Sequence, residues 1–260
     1  MERTIACLEP LLTEARRTRM QAVLASRSDH VAFVFERMID PHNLSAALRS
    51  LDAFSFQDVY LVQPGERLAW RRRCDATAAD GADDPGAACD ERGALARGIS
   101  IGADRWLSLH EAPSSLECLA ELRAAGYVVL ASHLGPAAQP LPALDFSRRT
   151  ALVFGNEHGG VSAEVLARAD GAFRIDMLGF AQSLNLSVAV AISAFQARQT
   201  LTRLAAQDAR PERFALPAQR RRALYADWLR GSVRNAERIL AATPASGNAE
   251  VNSEGLKSDV

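Results

Sequence analysis

Two glycine-containing stretches, each following a β-rich run, decide how this chain folds. Residues 150–160 read TALVFGNEHGG and residues 175–196 read IDMLGFAQSLNLSVAVAISAFQ. Glycines allow tight turns and close approach of the backbone to a ligand, and ligands bind at the carboxyl ends of strands in open parallel sheets. The glycines of GNEHGG lack the GxGxxG spacing of a dinucleotide loop, and GNEHGG by itself is typical of a plain turn.

Short β-rich runs alternate with helical patterns on both sides of these stretches. The predicted strands are Val31 to Glu36, Asp58 to Val62, Arg105 to His110, Tyr127 to Ser132, Thr150 to Gly155 and Ala172 to Asp176. The predicted helices between them are Asn43 to Phe54, Ser114 to Ala125, Ser162 to Ala169, and Leu184 to about Ala206. This order is typical of an α/β protein with a mostly parallel sheet.

Basic helical patterns flank this core, at about Cys7 to Ser26 and Pro217 to Ala242. From Arg198 to Leu240 the chain has ten arginines against four acidic residues. Residues 71–98 and 243–260 contain few large apolar side chains, which predicts a long surface loop and a disordered tail. We therefore divide the chain into a basic N-terminal helix (1–30), a core (31–200), a basic helical extension (201–242) and the tail (243–260).

The composition excludes several classes of protein. Of the 260 residues 48% are hydrophobic, which excludes a disordered chain, and the net charge of −1 hides the local basic segments. The sequence has no apolar run of membrane-spanning length and no secretory signal, so we expect a cytoplasmic protein without membrane contact. Its four cysteines lack CxxC spacing, which predicts neither a disulfide framework nor a metal site.

A third polar segment, DPHNLSAALRSLDAF, occupies residues 40–54. Pro41 disfavours a helical conformation at Asp40, and Asn43 is a residue type that caps helices. Arg49 lies six residues after Asn43, about 240° around the helix axis. An arginine in an amphipathic helix is usually solvated, so taken alone this segment leaves a structural role and a functional role open.

Together and in this order, three segments resemble the motifs of the SpoU (TrmH) family of RNA ribose 2′-O-methyltransferases, in the SPOUT superfamily. The first motif is DPHNLSAALRSLDAF (40–54), the second ALVFGNEHGGVS (151–162) and the third IDMLGFAQSLNLSVAVAI (175–192). The resemblance runs from Val31 to about Gln199. Within the family the chain is similar to the enzymes that methylate a tRNA D-loop guanosine, because helices flank the core and ADWLR (226–230) recurs in their C-terminal extension.

The resemblance implies a fold, a cofactor and an assembly. The fold is an α/β sheet whose C-terminal part forms a deep trefoil knot, and the family works as a homodimer. The cofactor is S-adenosyl-L-methionine, held largely by backbone groups of the knotted loops. Carried over to this chain, the cofactor contacts fall near Ser132, Gly155, Ile175, Met177 and Leu184.

The resemblance also implies a catalytic set and an RNA surface. The polar residues carried over for catalysis are Asn43, Arg49, Glu157, Ser183 and Asn185. We expect Arg49 to bind the phosphate next to the target ribose and to orient its hydroxyl, since a guanidinium is a poor base. Asn43 and Glu157 would hold Arg49 and the loops in place. The arginines expected to grip the RNA backbone are Arg16, Arg17, Arg19, Arg220, Arg221 and Arg222.

Two residues depart from the family pattern, and alternative functions follow. Asp176 stands where proline is common and adds a negative charge beside the cofactor loop, and Asp40 stands where similar enzymes have lysine.

The alternatives are methylation of ribosomal RNA or of another tRNA nucleoside, and a non-catalytic RNA-binding protein that retains the fold. A third, an NAD-binding enzyme, is disfavoured by the missing GxGxxG pattern.

Overall fold

The computed structural model of the protein describes residues 1–63 and 103–242. A seven-stranded sheet forms its centre, and every pairing between these strands is parallel. In spatial order the strands run β3-β2-β1-β6-β4-β7-β5. They are β1 (Val31–Glu36), β2 (Asp58–Val62), β3 (Ser108–Ala112), β4 (Val128–Ser132), β5 (Gln139–Pro140), β6 (Thr150–Phe154) and β7 (Gly171–Arg174). The predicted α/β class with a mostly parallel sheet is confirmed.

Helices cover the sheet and continue at both ends of the chain. They are α1 (Glu2–Leu8), α2 (Glu14–Ser26), α3 (Pro41–Ala53), α4 (Ser115–Ala124), α5 (Ala163–Arg168), α6 (Leu186–Gln207), α7 (Ala218–Ser232) and α8 (Ala236–Ala242). None of them is both long and apolar enough to cross a lipid bilayer. The predicted surface loop at 71–98 and the predicted tail at 243–260 lie outside the described residues.

Alternating side chains of the central strands fill two separate cores. In β1, Phe33 and Phe35 pack on one face against α3 and α6, whereas Ala32 and Val34 pack on the other face with residues of α4 and α5. All six residues of β1 are buried. A strand buried on both faces cannot slip by one residue without exchanging its two sets of side chains, so the register of the sheet is strongly specified.

Most predicted elements differ from the structure by one to three residues at their ends, and three of them differ in a way that has a visible cause. The N-terminal helix predicted from Cys7 is two helices, because Pro10 introduces a 3₁₀ turn after α1 and Thr13 then caps α2 by accepting from the Arg16 N–H. The C-terminal helix is also broken, near Asn235, which adopts a left-handed φ of 59°. The third strand begins at Ser108 rather than Arg105, since residues 103–106 form a 3₁₀ turn that places Trp106 against Trp228.

The helices from the two ends of the chain pack against each other. Leu8 of α1, Leu24 of α2 and Trp228 of α7 belong to one buried cluster, which is separate from the two cores of the sheet. Each terminal segment therefore buries its apolar face on the other. The basic segments of the two termini form one helical layer beside the sheet rather than two independent extensions.

An ion-pair network ties this layer to the amino-terminal edge of the sheet. Arg220 of α7 donates to Asp29 over 2.9 Å and also to Asp58. Asp58 is almost fully buried and accepts a further bond from His110 at 2.9 Å. Burial raises the pKa of Asp58, but the bonds from His110 and Arg220 outweigh it and hold that pKa below its ordinary value. This stabilisation is present above about pH 4 and is lost as the pH falls through the folded-state pKa.

We predict that Arg220→Ala destabilises the protein by about 2–3 kcal/mol, because it leaves the Asp58 carboxylate buried without its cation. Arg222→Ala is the matched control, since Arg222 pairs with Glu2 on an exposed surface and should leave the unfolding midpoint almost unchanged. Urea unfolding at pH 7 measures both. Equal midpoints for the two variants would contradict this account of the network.

Candidate active site

The three segments singled out in the sequence meet at the carboxyl-terminal edge of the sheet. The segment at 40–54 follows β1, the GNEHGG loop follows β6, and the segment at 175–192 follows β7. In the sheet β1 adjoins β6, and only β4 separates β6 from β7. Because all these strands are parallel, their carboxyl ends open onto one edge, which is where α/β proteins bind ligands.

A chain of side-chain hydrogen bonds joins the three segments. Asn43 of α3 donates from Nδ2 to Glu157 Oε1 at 3.1 Å. Asn185 donates from Nδ2 to Asn43 Oδ1 at 2.9 Å, while its own Oδ1 accepts from the Ser187 N–H and hydroxyl. The Asn43 amide thus uses its donor on one segment and its acceptor on another. Of the five predicted catalytic residues, the structure brings these three into direct contact.

Asn43 makes these bonds because a different residue caps its helix. Asp40 is the N-cap of α3, with an extended backbone (φ −90°, ψ 111°) and a side chain that accepts from the His42 N–H, and Pro41 occupies the first turn. The sequence predicted the restriction at Asp40 but assigned the cap to Asn43, and that assignment is wrong. The N-cap of α6 is Asn185.

The GNEHGG loop is a tight closed turn. Asn156 and Gly160 exchange backbone hydrogen bonds, and Asn156 Oδ1 accepts from the N–H groups of His158 and Gly159. Gly160 has a left-handed φ of 64°. A Cβ atom built on Gly155 would lie 1.9 Å from the Gly160 carbonyl carbon. Only glycine at position 155 allows this closure, which presents Glu157 to Asn43.

Arg49 and Ser183 lie apart from this hydrogen-bonded set. Both side chains are exposed, and neither makes a hydrogen bond or ion pair with another residue of the described chain. Arg49 is on α3, the helix that also carries Asn43. Among the described contacts, Asn43 and Glu157 do not touch Arg49, and the Arg49 guanidinium is exposed and has no partner within residues 1–63 and 103–242.

The residues expected near the cofactor come from three adjacent strand ends. Ser132 ends β4, Gly155 follows β6, Ile175 and Met177 follow β7, and Leu184 precedes α6. Within the described chain, residues 176–184 form no backbone hydrogen bond with one another or with other residues. Their N–H and C=O groups are thus available to a ligand, which fits a cofactor held by backbone groups. Arg174 donates to Asp176 at 2.8 Å and offsets its negative charge.

The predicted RNA-binding arginines differ in solvent exposure and in whether they already form an ion pair. Arg16 and Arg19 are exposed on α2, Arg17 and Arg221 are half-buried, and Arg222 is exposed but paired with Glu2. Arg220 lies inside the network with Asp29 and Asp58. Its guanidinium binds both carboxylates, so the geometry gives Arg220 a structural role that its sequence position did not reveal.

The sequence also gave no signal for Glu36. This last residue of β1 is 2% exposed and accepts hydrogen bonds from the Ser115 hydroxyl, the Ser162 hydroxyl and the Ser162 N–H. A glutamate at the end of an apolar run reads as a solvated strand end, and its serine partners lie far along the chain. The carboxylate joins the end of β1 to the start of α4 and to the start of α5.

Comparison with known proteins places this geometry in a family. The SpoU rRNA Methylase family matches residues 69–195. A tRNA (guanosine(18)-2′-O)-methyltransferase of Thermus thermophilus is 34% identical over 218 residues, which cover 84% of this chain and 97% of that enzyme. The chain belongs to the SpoU (TrmH) family. The family resemblance drawn from the three sequence motifs is confirmed.

Two solved structures of similar fold agree with this assignment. The Aquifex aeolicus TrmH/SpoU tRNA modifying enzyme has a TM-score of 0.66 at 24% identity, covering 85% of this chain and 98% of that one. An AdoMet-bound rRNA methyltransferase from Sinorhizobium meliloti has a TM-score of 0.51 at 27% identity, covering 67% and 58%. Both likenesses agree with membership of the SpoU (TrmH) family, and this membership argues against the NAD-binding alternative.

For this SpoU-family protein we predict that Gly155→Ala disrupts the GNEHGG loop and destabilises the fold by about 3 kcal/mol, since the new methyl group overlaps the Gly160 backbone. In Gly159→Ala, the matched control, the added Cβ would lie 3.7 Å from Asn156 Oδ1, an ordinary contact. Thermal unfolding followed by circular dichroism compares them. A Gly155→Ala protein as stable as the control would show that the loop is not closed as described.

Proposed function

We propose that this protein transfers a methyl group from S-adenosyl-L-methionine to the ribose 2′-hydroxyl of a D-loop guanosine in tRNA. The observation that carries the proposal is the Glu157–Asn43–Asn185 hydrogen-bond chain, which assembles the three family motifs at one sheet edge. The identity to the Thermus thermophilus enzyme, whose name specifies guanosine 18 of tRNA, supports the choice of substrate. A tRNA substrate favours action in the cytoplasm.

The chemistry requires positioning more than covalent participation by the protein. S-adenosyl-L-methionine supplies a methyl group on a positively charged sulfur, which a ribose hydroxyl attacks in line. The protein must hold the hydroxyl within about 3–3.5 Å of that methyl group and provide a path for one proton. We assign the cofactor to the edge formed by Ser132, Gly155, Ile175, Met177 and Leu184.

Arg49 is the residue that we assign to the substrate. Its guanidinium is exposed, unpaired among the described residues, and carried by the same helix as Asn43. A planar guanidinium can donate two parallel hydrogen bonds to a phosphate, here the phosphate next to the target ribose. A guanidinium stays protonated, so we assign the hydroxyl proton to phosphate or water, while Arg49 orients the hydroxyl.

The remaining polar residues of the set shape the loops. Asn43 fixes the spacing between the Glu157 loop and the start of α6, because its amide bonds to both. Asn185 caps α6 and thereby sets where the segment at 175–184 ends. Ser183, exposed two residues before that cap, is placed to contact the methionine end of the cofactor or the ribose.

We infer that the C-terminal part of the core is threaded into the family's trefoil knot. The strand order supports this inference: β5 follows β4 in the chain, but β7, which comes later, lies between them in the sheet. The chain that leaves β6 therefore crosses β4 before it forms β7. Strand β7 then lies between β4 and β5, next to the segment that connects those two strands. The unpaired segment at 176–184 then forms the wall of the cofactor pocket.

We also infer that the protein is a homodimer that uses one face of α6. Val188, Ile192 and Phe195 lie on one side of this helix and are 45%, 37% and 50% exposed. In the loop before it, the side chains of Leu178 and Phe180 are fully exposed. Exposed large apolar side chains of this number are typical of an interface between subunits, and a second copy of the chain is the occupant that the family implies.

The terminal helical layer is the surface that we assign to the tRNA backbone. Its exposed arginines on α2, Arg16 and Arg19, together with the half-buried Arg17 and Arg221, offer guanidinium groups to phosphates without dismantling the fold. Arg220 and Arg222 are already engaged in ion pairs, Arg220 with Asp29 and Asp58 and Arg222 with Glu2, so we give them a smaller share in binding phosphates. Phosphate contacts of this kind orient the RNA and leave the choice of nucleotide to the active site.

We predict that Arg49→Ala lowers kcat for tRNA methylation by at least about 100-fold, since the ribose hydroxyl loses its orienting contact. Its affinity for S-adenosyl-L-methionine, measured by calorimetry, should stay within about twofold of the unchanged protein. Arg168→Ala removes an exposed arginine from α5 and serves as the control. Loss of cofactor binding in Arg49→Ala would show that Arg49 belongs to the cofactor site instead.

For the dimer, we predict that Ile192→Asp converts the protein to a monomer, because the interface would have to bury a charge. Light scattering after gel filtration should then give a mass near the 28.1 kDa of a single chain. Leu11→Asp places the same charge at an apolar residue that is 56% exposed elsewhere and should leave the dimer intact. A dimeric Ile192→Asp protein would exclude this face of α6 as the interface.

A further inference from the structure

Glu36 is a buried carboxylate whose described hydrogen-bond partners are two hydroxyl groups and one backbone N–H. Its Oε1 accepts from the Ser115 hydroxyl at 2.6 Å and from the Ser162 hydroxyl at 2.7 Å, and its Oε2 accepts from the Ser162 N–H at 2.8 Å. The Ser162 hydroxyl in turn accepts from the Val165 N–H, as the N-cap of α5. Both functions of that hydroxyl are therefore used, and the group cannot rotate away without losing a bond.

No arginine, lysine or histidine of the described chain forms an ion pair with Glu36. The adjacent basic residue, Arg37, donates from Nε to Gln63 at 3.0 Å instead. The beginnings of two helices stabilise the negative charge of the Glu36 carboxylate instead, since Ser115 is the first residue of α4 and Ser162 caps α5. Helix N-termini carry partial positive charge and unpaired N–H groups, which stabilise a nearby carboxylate.

This arrangement fixes one end of the active-site loop. The loop from Gly155 to Val161 begins at the end of β6 and ends at Ser162, and its middle carries Glu157. Strand β6 anchors the first end, whereas Glu36 anchors the second through two bonds to Ser162. Glu36 also lies at the end of β1, only a few residues before Asn43, the side chain to which Glu157 bonds.

We propose that Glu36 is a positioning residue for methyl transfer. By binding Ser162 it holds the Gly155–Val161 loop in the position in which Glu157 can hydrogen-bond to Asn43. The proposal rests on the proposed function, because it concerns the placement of that same site. Glu36 touches neither the proposed substrate residue Arg49 nor the predicted cofactor residues in the described contacts. It acts through Ser162 and the loop, and its effect should appear in turnover rather than in RNA affinity.

Glu36→Gln tests this role directly. The amide removes the negative charge and one accepting oxygen, so the Ser115 and Ser162 hydroxyls lose charge-assisted hydrogen bonds or must reverse them, and the anchor is weakened. We expect kcat for tRNA methylation to fall roughly 10- to 100-fold, as small displacements of positioning groups do, with KM for tRNA within about twofold. Hydrogen exchange of amides 156–161 should accelerate at least roughly tenfold without added cofactor or RNA.

Glu164→Gln is the matched control, since Glu164 is exposed on α5 and makes no described hydrogen bond. Its kcat and its loop exchange should equal those of the unchanged protein. A Glu36→Gln protein that is folded, with unchanged loop exchange and unchanged kcat, would overturn the proposal. If KM for tRNA alone rises, Glu36 belongs to RNA binding and the proposal is equally wrong.

Two serine variants separate positioning from general stability and keep the test valid if Glu36→Gln does not fold. Ser162→Ala removes the hydroxyl bond on the loop side, and Ser115→Ala removes the one on the α4 side. We expect Ser162→Ala to lower kcat at least roughly fivefold and to accelerate loop exchange, whereas Ser115→Ala lowers the unfolding midpoint with kcat nearly unchanged. Equal effects of both variants on kcat would reduce Glu36 to a structural residue.

Failure of the proposal and failure of the proposed function give different results. If the unchanged protein methylates no tRNA, the proposed function fails, and loop exchange still reports whether Glu36 anchors residues 156–161. If the unchanged protein is active and the Glu36→Gln variant is equally active, only the positioning role fails.

Discussion

The parallel direction of all seven strands is the constraint on which this active site depends. It opens the ends of β1, β6, β4 and β7 onto a single edge, so Asn43 becomes a neighbour of Glu157 and Asn185, which lie more than a hundred residues later in the sequence. Asn43 then joins them, since a single amide can donate to Glu157 and accept from Asn185. A site built in this way needs no metal or ion pair to bring its parts together; strand order and one bridging side chain suffice.

The two edges of the sheet use different electrostatics. At the amino-terminal edge, charges are paired: Arg220 connects Asp29 and Asp58, and α7 is held to the sheet. At the carboxyl-terminal edge, Glu36 is held by neutral donors, and Arg49, on the helix that begins at this edge, carries no described partner. Paired charges stabilise the terminal helical layer, whereas an exposed guanidinium with no partner among the described residues is suited to receive a phosphate from outside.

Periodicity predicted most of the sheet, because strands such as β1 are buried on both faces and read as continuous apolar runs. It missed β5, whose two residues are too few for a pattern. The motif resemblance found Asn43, Glu157 and Asn185, but local rules misassigned the helix cap, since Asp40 and Asn43 both suit it. The roles of Arg220 and Glu36 depend on partners between 79 and 191 residues away, which no local pattern encodes.

The most direct test of the central claim is the identity of the methylated nucleoside. The purified protein would be incubated with radiolabelled S-adenosyl-L-methionine and a tRNA transcript, beside the same transcript carrying 2′-deoxyguanosine at the D-loop guanosine that corresponds to position 18. The account predicts label in 2′-O-methylguanosine from the first transcript and none from the second. Equal label in both, or no transfer from a protein that binds the cofactor, would contradict it.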